Sequence, residues 1–160
     1  MIGEHNYAVR VDWTGNSGTG TSSYRAYGRQ HTITPLGPGA EDKAVIKGSS
    51  DPTFHGNAER WNPEELLLAA LSQCHMLAYL HVAVRHGVTV VAYSDSAVGV
   101  LRQLPAGGGR FASATLRPLV RISDPTQIEF AQSLHAEAAR ECFIAASMNF
   151  PVGHEPVTTV

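Results

Sequence analysis

Polar and apolar residues alternate near the start of the chain. Tyr7, Val9, Val11 and Trp13 fall on one face of "HNYAVRVDW", which predicts a half-buried strand. The glycines and small polar residues of "TGNSGTG" predict a turn. "TSSYRAYGRQHTI" reads as the returning strand, "TPLGPGAEDK" as a loop and "AVIKGSS" as a short strand. The stretch from Ser49 to Arg60 is again rich in turn residues. A helix follows. Asn62 suits its N-cap, Pro63 its first position, and Glu64 and Glu65 the positive end of its dipole. Glu65 also stands at the capping-box distance from Asn62. Gly87 suits the C-terminal stop after His86, so the helix is about 36 Å long. Leu66 to Leu71 leave its first half without a polar face, so it is expected to be buried nearly all round. A chain of 160 residues has little material to surround such a helix, and a dimer is expected.

"TVVAYSDSAVGVLRQL" and "RFASATLRPLVRIS" flank "PAGGG" and predict a long hairpin. "DPTQIEFAQSLHAEAARECFIAAS" predicts a second helix, capped by Ser123 or Asp124 with Pro125 near its first position. Ala131, Leu134, Ala138, Cys142 and Ala145 recur on it at spacings of three and four, which puts Cys142 on the apolar stripe. "NFPVGHEPVTTV" suits a last strand. The order is that of an α+β fold, read as a single domain over residues 1–160.

Composition narrows the function classes. The net charge is −2 and the lysines are Lys43 and Lys47, which argues against a nucleic-acid partner. "MIGEHNYAV" does not read as a signal peptide, and the longest strictly apolar run, "LLLAAL", is too short to cross a bilayer. No membrane association and a cytoplasmic location are expected. In a reducing compartment the two cysteines are then free, metal-bound or redox-active rather than a permanent staple.

Cys74 and Cys142 are the candidate reactive groups, although free cysteines are commonly inert packing. Eight histidines raise the question of a metal, but no ligand-spaced pair such as Cys-x-x-Cys or His-Glu-x-x-His occurs, and no metal site is expected. His75 follows Cys74 directly and points about 100° away from it. "GNSGTGTSS" lacks the Gly-Lys-Ser/Thr ending of a phosphate loop.

"RWNPEELLLAALSQCHMLAYL" closely resembles the signature segment of the OsmC/Ohr family of organic hydroperoxide peroxidases. In both, an Asn-Pro-Glu-Glu helix start is followed by a cysteine ten residues after the first glutamate. "HNYAVRVDWTGNSGTGTSSYRAYGRQHTI" resembles the N-terminal strands of a subgroup, and "ECFIAASMNFPV" the second cysteine segment. The resemblance covers nearly the whole chain. It implies an intertwined dimer with antiparallel sheets packed around long central helices. It also implies that Cys74 is the peroxidatic cysteine, Cys142 its resolving partner and Glu64 the functional glutamate.

The implied reaction reduces organic hydroperoxides, and hydrogen peroxide as an alternative substrate, through a Cys74 sulfenic acid and a Cys74–Cys142 disulfide. No resident cofactor is implied. An external dithiol of the dihydrolipoyl type would be the reductant. A cysteine in mid-helix gains nothing from a helix N-terminus, so its thiolate needs a cation. The family supplies an arginine held by the glutamate. This chain carries His55 where the subgroup tends to carry that arginine, which leaves Arg60 first and Arg29 second as replacements, with His55 itself as a partial one. Two alternatives stand beside this reading: a non-enzymatic dimer that binds a small ligand or senses redox state through Cys74, and, more weakly, a thioesterase-like hydrolase.

Overall fold

The computed structural model describes residues 3–160. They pack as two compact units that divide between Leu66 and Leu67, inside the long helix.

The first unit carries one antiparallel sheet. Strand β1 (Val9–Trp13) pairs with β2 (His31–Pro35), and β2 with β3 (Ile46–Gly48), in the order β1-β2-β3. The expected alternating face exists, but the chain does not cover it: Val9 and Val11 are 66% and 60% exposed. Tyr7 lies before the strand and is exposed. The returning strand is shorter than the sequence predicts and starts only at His31. Residues upstream of it form turns that satisfy their backbone locally. Asn16 Oδ1 accepts from the N–H groups of Gly18 and Gly20, and Ser17 donates to the Ala26 carbonyl. Short polar side chains that bond nearby backbone in this way compete with strand pairing.

Helix α1 spans Pro63–Arg85. Its start is the capping box read from the sequence. The Asn62 N–H donates to Glu65 Oε2 at 3.1 Å, and the Glu65 N–H to Asn62 Oδ1 at 2.8 Å. Its end is also as read. Gly87 takes φ 70, a left-handed turn that an L side chain resists, and the N–H of Val88 reaches back to the Ala83 carbonyl. Within one chain the burial of α1 is one-sided. Leu71, His75, Tyr79, Val82 and Ala83 are buried, a stripe at helical spacing, while Leu77 and Val84 on other faces are 60% and 76% exposed. One chain therefore covers one face. The segment is long and apolar enough to cross a membrane by composition, which the shorter strictly apolar run does not reveal. Its buried stripe packs as that of a core helix: Tyr79, Val82 and Ala83 lie with Val88, Val120, Ile122, Ala131, Leu134 and Ala138, and Leu71 with Ala114 and Leu116.

In the second unit the predicted hairpin is real but bent. Its first arm divides into β4 (Val90–Asp95) and β5 (Val98–Gln103), and its second into β6 (Gly109–Leu116) and β7 (Pro118–Ile122). β5 pairs with β6 and β4 with β7, so the arms enter two different sheets. Asp95 holds the corner: its Oδ1 accepts the Arg117 N–H and its Oδ2 the Ser72 hydroxyl. The tail forms two strands rather than one. β8 (Val152–His154) adds parallel to β6, and β9 (Val157–Thr159) adds parallel to β7.

The second predicted helix is broken into α2 (Ile128–Ser133), α3 (His135–Glu141) and α4 (Phe143–Ala146), after a 3-10 turn capped by Asp124. Cys142 is the break between α3 and α4. It has an extended backbone (φ −78, ψ 103) instead of a place within a helix. Of the predicted stripe, Ala131, Leu134, Ala138 and Cys142 are buried, whereas Ala145, beyond the break, is half-buried.

Candidate active site

Helix α1 presents Cys74, half-buried, one position before the buried His75. Cys142 approaches from the α3–α4 break and is 1% exposed. Its sulfur accepts the Ala145 N–H at 3.5 Å, so the side chain caps the short helix that follows. Both cysteines are free. Cys142 stands beside Cys74. Burial and, after it, the neighbouring Cys74 push the Cys142 thiol up to about 11. Cys142 thus keeps its proton at neutral pH.

The next buried position of α1 begins a second feature that the sequence reading missed. His75 Nε2 lies 3.0 Å from His135 Nδ1, with one imidazole donating to the other. His154 flanks His75 at 5.4 Å between ring centroids, and Tyr79 stacks on His135 at 4.0 Å. The Tyr79 hydroxyl donates to the Ala131 carbonyl. Burial, and then the neighbouring imidazole of His154, lower His75 to about 4; burial, and then His75 and His154, lower His135 to about 3. These imidazoles are therefore neutral at physiological pH. The signal that reveals them is the spacing of Leu71, His75, Tyr79 and Val82, which sets His75 on the buried stripe. Among the described residues no group of three or more potential ligands is placed to hold a metal ion.

The other predicted residues belong to the first unit. The carboxylate of Glu65 is engaged by the capping box, whereas Glu64 beside it is half-buried and forms no ion pair among the described residues. Arg60 is likewise half-buried, and its backbone N–H donates to the Asn57 carbonyl. Arg29 is held in place. Its guanidinium donates to the carbonyls of Tyr24 and Tyr27 and lies 4.5 and 4.1 Å from the centroids of their rings. His55 adopts φ 62 and meets the Tyr24 ring edge-on.

A family model of the OsmC-like proteins matches residues 56–155. The chain belongs to the OsmC-like family. Solved structures of the family share its fold. An OsmC-like protein of unknown function from Vibrio cholerae is 28% identical, with a TM-score of 0.80 over 96% of this chain and 100% of that one. An organic hydroperoxide resistance protein from Elizabethkingia anophelis is 17% identical, with a TM-score of 0.70 over 99% of both chains. The organic hydroperoxide resistance protein OhrB of Bacillus subtilis is 18% identical, with a TM-score of 0.62 over 97% of this chain and 98% of that one. No curated protein matches the chain. The α+β fold is thus that of the OsmC and hydroperoxide-resistance proteins.

Proposed function

We propose that this OsmC-like protein is a cytoplasmic, cysteine-based peroxidase that reduces organic hydroperoxides. The observation that carries the proposal is the placement of two free thiols side by side, Cys74 half-buried on α1 and Cys142 buried at the α3–α4 break. In the first step the Cys74 thiolate attacks the outer peroxide oxygen. The O–O bond breaks, the sulfur is oxidised to sulfenic acid, and the leaving alkoxide takes a proton to become an alcohol. The Cys142 sulfur then attacks the sulfenic sulfur. An S–S bond forms, water leaves, and the Cys142 proton goes with it. An external dithiol of the dihydrolipoyl type reduces the disulfide by two exchange steps and is itself oxidised to a cyclic disulfide.

The division of labour follows from the environments. Cys142 is buried and keeps its proton, which suits a group that acts only after the first oxidation. Cys74 is the more accessible of the two. An arginine oriented by Glu64 completes the site. Arg60 remains the first candidate and Arg29 the second, and the tyrosine clamp around Arg29 gives it a fixed guanidinium at little further entropy cost.

The active form is a homodimer. Leu77 and Val84 on α1, and Val9 and Val11 on β1, are exposed apolar side chains that a second subunit would cover. Stopped-flow consumption of cumene hydroperoxide, coupled to mass spectrometry of the Cys74–Cys142 peptide pair, tests the chemistry. One peroxide lost per disulfide formed supports it.

A further inference from the structure

The β5–β6 hairpin carries an arrangement that the redox reading does not use. Arg102 and Arg110 are direct cross-strand partners. Like charges at such a position repel, and sheets ordinarily avoid them. Among the described residues neither guanidinium has an ion pair: the acids of this unit near other cations are committed elsewhere, Glu137 and Glu141 to Arg85, and Glu155 to Arg117. The two arginines line one pocket of about 420 Å³, within the range of small-molecule sites. Its lining contains no acidic residue and includes Phe111, Phe150, Leu104 and Asn149. Phe111 and Phe150 are stacked, with centroids 5.3 Å apart and planes 29° from parallel. The Phe111 ring is seated over Gly99, where a Cβ would stand 2.6 Å from its Cε1. A bulge between Val100 and Leu101 shifts the register at this point and brings Phe111 opposite Leu101.

We propose that this pocket binds an organic carboxylate with a flat, apolar body. The carboxylate bridges the guanidinium groups of Arg102 and Arg110, which present planar forks matched to two oxygens. Its charge removes their mutual repulsion. The body of the ligand lies against the Phe111–Phe150 pair, and the Asn149 amide is a further donor at the rim. Apolar stacking and a small number of oriented polar groups are the usual division in such sites. No lining residue is a cysteine.

Calorimetric titration of the full chain with 2-naphthoate tests this. The expected result is one saturable site per chain, with acetate and 2-naphthylmethanol each binding at least tenfold more weakly. Both the Arg102→Gln/Arg110→Gln variant and the single Arg110→Gln variant should weaken naphthoate at least tenfold. A thermal melt keeps the two roles of the arginines apart. Without ligand the variants should melt no lower than the parent, because a like-charge contact has been removed, and they should lose the rise that naphthoate gives. Cys74→Ser should bind naphthoate as the parent does, so loss of peroxidase activity leaves this result untouched. The proposal is overturned if the parent does not bind naphthoate. Equal binding by the Arg110→Gln variant, acetate binding as tight as naphthoate, or lower melting of the unliganded variants would overturn it as well.

Discussion

His75 Nε2 stands 3.0 Å from His135 Nδ1, and both rings are buried. The two neutral imidazoles share one hydrogen bond and leave His135 Nε2 buried without a partner, and among the described residues no carboxylate is in hydrogen-bond contact with either ring to stabilise an added proton. The pKa of each is depressed, to about 4 for His75 and about 3 for His135. In the unfolded chain both return to about 6.5, so below that pH the unfolded state binds more protons than the folded one. Stability is therefore full above about pH 6.5 and is lost as pH falls through the folded values. Urea unfolding between neutral pH and about pH 4.5 should show an uptake approaching two protons on unfolding. His135→Leu should lower that number by about one. A pH-independent unfolding free energy across this range would contradict the finding.

The capping box at the start of α1 is a local, separable contribution. Asn62→Ala removes the acceptor for the Glu65 N–H and should cost about 1 kcal/mol of stability. Asn62→Ser should recover most of it. Chemical denaturation measures both, and an unchanged midpoint for Asn62→Ala would rule out the cap as a stabilising element.

Thiol labelling separates the two cysteines. Cys142 is buried and holds its proton up to about pH 11, so it should react with iodoacetamide much more slowly than Cys74 near neutral pH. Peptide mapping of partially labelled protein reads the order directly. Preferential labelling of Cys142 would reverse the assignment of attacking and resolving roles.

The dimer proposal makes a prediction about Glu64. Helix α1 is continuous from Pro63 to Arg85. At 1.5 Å per residue, ten residues along one helix amount to about 15 Å, too far for one guanidinium to bond both Glu64 and Cys74 of the same straight helix. If both serve one site, the glutamate comes from the partner subunit, as two-fold pairing of antiparallel helices allows. Cys74→Ser and Glu64→Ala subunits, each inactive alone, should recover activity when refolded together, with one intact site per mixed dimer. Recovery of none, with subunit exchange demonstrated, would refute the shared site.

Local rules made part of this fold legible before any coordinates. Asn62, Glu65 and Gly87 mark the ends of α1 because capping and left-handed turns are decided within a few residues. The stripe through Ala131, Leu134, Ala138 and Cys142 reports burial, yet it does not report that Cys142 breaks the helix. At that break the thiol caps Ala145 and the residue stands beside a cysteine distant in sequence. The bend of the hairpin at Asp95 and Arg117 is hidden for the same reason, since the contact that fixes it joins residues far apart in sequence. The pairing of Cys74 with Cys142 is implied by family resemblance and not by periodicity, because a partner distant in sequence leaves no local pattern. The histidine pair escaped notice because each histidine looks ordinary in its own segment. The exposed face of β1 was read as half-buried because alternation reveals an apolar face without revealing what covers it.

The central claim is that Cys74 and Cys142 act together on a hydroperoxide. Its most direct measurement is a single-turnover reaction of reduced protein with one equivalent of cumene hydroperoxide, followed by mass spectrometry. The parent chain should consume the peroxide and yield the Cys74–Cys142 disulfide in equal amounts. Cys142→Ser should consume one equivalent and stop at a Cys74 sulfenic acid trapped by dimedone, and Cys74→Ser should consume none. Full peroxide consumption by Cys74→Ser, or turnover by the parent with no disulfide formed, would contradict the account.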